Sequence, residues 1–167
     1  MSIFYEFEEV DAFTTGAIGE PGDRTFFLQA RQGRQRVAVK CEKQQVSAIV
    51  QYLQRVLSDL PPPEDRPIAG ALELATPLEE AFVLGPIGLG YDRSSDKMIV
   101  QLEEVGAYDD EGEPIEGRDG HIRVYVTRAQ ASAFCEHAEK VVAAGRPDCQ
   151  WCSNPIDPDG HACPRMN

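Results

Sequence analysis

Twice along this chain the spacing of apolar residues switches from every second position to every third and fourth. That double switch limits the fold more than any other feature. In residues 25–31 (TFFLQAR), Phe26, Leu28 and Ala30 fall on one side while Phe27, Gln29 and Arg31 fall on the other, the period of a β-strand. Gln32-Gly33 turns the chain, and residues 35–41 (QRVAVKC) alternate again, with Val37, Val39 and Cys41 inward. Val46, Ile49, Val50, Leu53, Val56, Leu57 and Leu60 then recur at helical spacing, and Pro61-Pro62-Pro63 ends the run because proline cannot continue the hydrogen-bond ladder. A β-prone stretch at 10–19 (VDAFTTGAIG), closed by the turn signal EPGD, precedes the first alternating segment.

The second half follows the same plan. Residues 81–91 (AFVLGPIGLGY), 98–105 (MIVQLEEV) and 121–126 (HIRVYV) read as strands. Thr127 and Gln130 form a Thr-x-x-Gln capping box that opens a helix. This helix is expected to bury Ala131, Phe134, Ala138, Val141 and Val142 and to end at Gly145. RVAVKCEKQQVSAI from Arg36 resembles RVYVTRAQASAF from Arg123 once a gap of two residues is allowed. The expected class is therefore α+β. A core at 1–145 holds two strand-strand-strand-helix units (10–60 and 81–145) as an internal repeat, related by a pseudo-twofold, that forms an antiparallel sheet with two helices on one face. Residues 58–81, with five prolines, connect the units over the surface.

The last 22 residues, 146–167, read as a separate small tail. Cys149-x-x-Cys152 places two thiolates on a tight turn, and His161-x-Cys163 supplies an imidazole and a third thiolate. The intervening NPIDPDG folds back as a short loop. Cys149, Cys152, His161 and Cys163 make a Cys3His set, the closed tetrahedral arrangement of a structural zinc site. One structural Zn2+ per chain is the expected cofactor. A redox pair would sit at a helix start after a strand, whereas this pair precedes a Pro/Gly/Asp-rich turn. Incidental cysteines are the plainer alternative, but they leave four ligands within fifteen residues unexplained. Trp151, the only tryptophan, lies between the knuckle cysteines; we read it as packing the tail onto the core, because a module this small has almost no core of its own.

The segments GDRTFFLQA, VAVKCEKQQV and GLGYD, together with the terminal C-x-x-C-x-N-P-x-D-P-x-G-H-x-C-P-R-x-N, resemble a family of actinobacterial conserved hypothetical proteins, a domain of unknown function. The resemblance spans the whole chain. It implies a zinc-ribbon-like tail with Cys149, Cys152, His161 and Cys163 as ligands. It also implies coding beside a phosphomutase-like and a kinase-like protein. It implies no reaction.

No catalytic set is expected. Cys135 and His137 are two apart on a helix and diverge. The run GPIGLG lacks the Lys-Ser/Thr of a phosphate loop and reads as a glycine-bent strand. Residues 103–119 carry eight carboxylates (Glu103, Glu104, Asp109, Asp110, Glu111, Glu113, Glu116, Asp119) against Arg118, seven of the twelve net negative charges. The common form of such a run is a solvated loop; the sharper reading is a docking surface for a basic protein partner, or a weak divalent-metal site. An acidic chain is not expected to bind nucleic acid or an anionic membrane. The N-terminus MSIFYEFEEV has no basic or apolar leader region, and five cysteines are an odd, scattered set, so a reducing cytoplasm is the expected location. The leading reading is a cytosolic, zinc-stabilised, non-catalytic binding or adaptor protein. The alternative is an enzyme of small-molecule or phosphate metabolism acting with the phosphomutase-like and kinase-like companions.

Overall fold

The structure, a computed structural model, describes residues 4–20, 22–63, 72–106 and 108–144. The strands are β1 (Phe4–Phe7), β2 (Ala12–Ile18), β3 (Thr25–Gln32), β4 (Gln35–Cys41), β5 (Glu80–Asp92), β6 (Lys97–Glu104) and β7 (His121–Thr127). Helix α1 (Lys43–Ser58) follows β4, and α2 (Arg128–Ala143) follows β7. The class is α+β, a seven-stranded sheet in the order β1-β7-β6-β5-β4-β3-β2 with two helices.

The expected antiparallel sheet is in fact mixed. Strand β4 pairs with β5 in parallel, and so does β1 with β7. At the first joint the cause is the helix: α1 carries the chain back to the end at which β4 began, so β5 sets off in the same direction. At the second, a short N-terminal strand with no turn signal of its own takes up the free edge of β7.

The two edge strands are consecutive in sequence, and this bends the sheet. Only residues 8–11 join β1 to β2. Seven strands spaced about 4.8 Å apart would hold the edges of a flat sheet roughly 29 Å apart, whereas five extended residues span at most roughly 17 Å. The sheet must therefore curl towards a barrel. The joining residues are held on both sides: Asp11 N–H donates to Arg31 O of β3 at 2.7 Å, and Lys97 Nζ of β6 donates to Glu8 O at 2.8 Å. Helix α2 lies along β2: Phe134 stacks on Phe13 with ring centroids 4.8 Å apart, and the His137 ring nitrogen Nε2 is 2.9 Å from Thr15 O.

Val37, Val39, Ile49, Leu53, Ile122, Val124 and Phe134 share one buried core, as their spacing predicts. Val141 and Val142 pack against its rim and are only half-buried, since they lie on the last turn of α2. Both helices open with a capping box: Gln45 Oε1 accepts from Glu42 N–H at 2.8 Å, and Gln130 Oε1 accepts from Thr127 N–H at 2.9 Å. Cys135 Sγ lies 3.8 Å from Val50 O, and Gln54 Nε2 donates to Glu139 Oε1 at 2.5 Å; both contacts join residues 85 apart. The buried positions of the helices (Val46, Ile49, Val50 and Leu53; Ala131, Phe134, Cys135 and Ala138) keep that separation, so α1 and α2 lie parallel and in register.

The alternation assigns Phe27 and Gln29 to the face away from the helices, yet both are buried. The connecting segment covers them. Gln29 Nε2 donates to Ala75 O at 3.0 Å while Gln29 Oε1 accepts from Ala75 N–H at 2.8 Å, so one side-chain amide pairs with a backbone much as a neighbouring strand would. Thr14 Oγ1 donates to Leu72 O. Gly16 leaves a notch for Leu74: a Cβ on Gly16 would stand 2.5 Å from Leu74 Cδ1. Arg36 fastens the far end, its Nη2 donating to Pro77 O at 2.9 Å.

Candidate functional site

The four sequence-derived metal ligands, Cys149, Cys152, His161 and Cys163, lie outside the described residues, as does Trp151. Among the described residues no group of three or more His, Cys, Asp or Glu side chains stands close enough to hold a metal ion. Cys41 and Cys135 are free and buried in the core. Burial pushes each thiol up to about 12, with Glu42 adding repulsion at Cys41 and Glu139 at Cys135. At neutral pH neither supplies the thiolate that nucleophilic chemistry needs. Cys135 and His137 diverge as helical geometry requires, the thiol towards α1 and the imidazole towards β2.

The acidic run divides into two parts. Glu103 and Glu104 finish β6, and Glu104 N–H donates to Gly120 O at 2.9 Å. Beyond them the chain forms a tight excursion organised by one carboxylate. Asp109 Oδ1 accepts from the N–H groups of Glu111 and Glu113, each at 2.9 Å, and Asp109 N–H donates to Glu113 O at 2.9 Å. Tyr108 bridges to Pro114. The local bonding turns Asp110, Glu111, Glu113 and Glu116 outward, all exposed. Val105, Tyr108 and Ile115 are exposed among them, so the surface offers apolar contact as well as charge.

A polar cluster that the sequence did not reveal ties the β5–β6 turn to the start of α2. Tyr91 OH donates to Asp96 Oδ1 at 2.5 Å, and Arg128 Nε donates to Asp96 Oδ2 at 2.9 Å. These donors favour the ionised carboxylate: the Tyr91 hydroxyl, then Arg128, hold Asp96 below its ordinary range, and the same hydrogen bond raises Tyr91. Asp96 has φ of 55°, a left-handed conformation that aspartate tolerates. Its turn residues, DRSSDK, are legible as a turn; its link to Arg128, 32 residues on, is set only by the fold. On the outer face of β7 the His121 ring lies 5.6 Å from the ring of Phe4 on β1, and its Nε2 is buried without a hydrogen-bond partner.

Two meanders curled around a pair of parallel helices define a small α+β protein with one continuous core. Over residues 5–163 the chain matches the family described as protein of unknown function (DUF3090), and it belongs to that family. No curated protein and no solved structure matched it. No helix among the described residues is long and apolar enough to cross a membrane.

Proposed function

We propose that this chain is a zinc-stabilised binding or adaptor protein of the cytosol with no catalysis of its own. The observation that carries the reading is the spacing of Cys149, Cys152, His161 and Cys163. Three thiolates and an imidazole are a soft donor set that fits zinc, and four protein ligands leave no position for a reactive water. The ion's task is then structural: it holds together a tail with too few apolar residues for a core.

Purified protein is expected to carry one zinc per chain. Cys149→Ser or Cys152→Ser should lose the metal while the two-helix body stays folded, read by elemental analysis alongside circular dichroism. Metal-free protein from a chelator-free preparation would sink the proposal. A copurifying protein supports the adaptor reading. A copurifying metabolite would favour the rival, an enzyme of small-molecule or phosphate metabolism working with the phosphomutase-like and kinase-like companions.

The partner surface is the excursion from Tyr108 to Asp119, which sets carboxylates beside exposed Tyr108 and Ile115. A basic protein surface meets both the charge and the apolar contact, and its association should slow as salt rises. Nucleic acid meets the same sign of charge on the chain. We expect no mobility shift with unrelated duplex DNA or RNA at physiological salt; a salt-sensitive shift would overturn this part of the proposal.

A further inference from the structure

The two meanders present equivalent outer faces, one covered and the other without cover among the described residues. Val37, Val39 and Cys41 of β4 correspond to Ile122, Val124 and Val126 of β7 at the helices' separation of 85 residues. Lys40 then corresponds to Tyr125. Across the ladder, Lys40 pairs with Phe27 and Phe27 with Gly16; Tyr125 pairs with Ile99 and Ile99 with Gly90. Gly90 is thus the counterpart of Gly16. By the same walk, Gly88 answers Thr14 and Gln101 answers Gln29.

The covered face is dry: Thr14 and Gln29 are 0% and 1% exposed beneath residues 72–75. On the other face Gly88 is exposed, and Gly90, Ile99 and Gln101 are half-exposed. No described atom lies within 4 Å of a Cβ built on Gly90, where Gly16 holds Leu74. The Gln101 side chain leans over Gly88, and its amide, unlike that of Gln29, meets no backbone among the described residues. Beside it, Arg123 is half-exposed, with Nη1 3.8 Å from Glu6 Oε2 on β1. Among the described residues, neither the notch at Gly90 nor the Gln101 amide meets a group like the one that fills its counterpart.

We propose that the chain's own tail, residues 145–167, docks on this face. It would lay a backbone against the Gln101 amide and seat an apolar side chain, Trp151 or Ile156, at Gly90. The covering segment of the first meander follows α1, and the tail follows α2 in the same way. Its length suffices: Leu74 lies 16 residues beyond Ser58, and 24 residues follow Ala143. Its charge fits as well, since Asp157 and Asp159 are opposite in sign to the half-exposed Arg123. The binding logic is strand-like: backbone hydrogen bonds supply affinity and a side-chain notch supplies register. This docking does not depend on the zinc ion.

Gly90→Val fills the notch. The residue has no positive φ and open space above it, so the body should fold unchanged. Gln101→Ala removes the amide without adding bulk. Each variant is expected to shift Trp151 emission to the red and to speed hydrogen exchange across residues 145–167, while zinc content and the circular dichroism of the body stay at parental values. Trp151 is the only tryptophan, so the emission reports the tail alone. Parental emission and exchange in both variants would overturn the docking. A parental signal that fades on dilution would place a second copy's tail on the face and overturn the intramolecular form.

Discussion

Phe134→Ala is expected to cost about 3–5 kcal/mol, at the upper end for a buried large-to-small change. The magnitude follows from the neighbours on the same helix. The other residues that α2 buries are Ala131, Ala133, Cys135 and Ala138, all small, so Phe134 is the one large side chain the helix sends into the core. None of those alanines can swing into the space it would leave, and Phe13 would lose a ring partner 4.8 Å away. Its counterpart Ile49 gives the control: Ile49→Val removes one methylene from an equally buried site on a helix that also buries Val46, Val50 and Leu53, for about 0.5–1.5 kcal/mol. Urea titration should show the midpoint falling for both variants with an unchanged slope, which marks a change in stability rather than in the unfolded state. A loss below about 1 kcal/mol for Phe134→Ala would mean that α2 is not anchored through this ring.

How much of this fold was legible in the sequence depends on whether a feature is local. The alternation in TFFLQAR and QRVAVKC, the helical spacing from Val46 to Leu53 and the Thr127–Gln130 box each rest on residues a few positions apart, and each element formed where the pattern placed it. Pairing is not local. Nothing in Ala38 or Glu80 announces that β4 and β5 run side by side in parallel, and FYEF is too short to declare β1. The burial of Phe27 and Gln29 was hidden for a related reason. Their period is that of a strand with one wet face, and only the arrival of residues 72–75 from far along the chain makes the second face dry. For function, the Cys3His motif is legible as a spacing, and the outward turn of the acidic excursion as a charge run. The correspondence of Gly90 with Gly16 has no sequence signature at all, because it exists only once the ladder register is known.

The clearest measure of what a covering segment contributes is a comparison of the two corresponding glutamines. Gln29→Ala should destabilise the chain by about 1–3 kcal/mol, because it removes both hydrogen bonds to the half-buried Ala75 backbone, each worth about 0.5–1.5 kcal/mol net. Gln29→Met restores the volume but not the hydrogen bonds, so it should recover only the packing part of the loss. Gln101→Ala should cost less, about 0.5–1 kcal/mol, since its amide is half-exposed and water can replace a backbone that meets it there. The same chemical change at two corresponding positions thus separates the strand geometry, which they share, from the segment above, which only one is seen to have. Hydrogen exchange at Ala75 checks the mechanism: that amide should lose protection in Gln29→Ala and Gln29→Met and keep it in Gln101→Ala. If Gln29→Met were as stable as the parent, the two hydrogen bonds to Ala75 would not be what holds residues 72–75 against the sheet, and Leu74 in its glycine notch would carry that task alone.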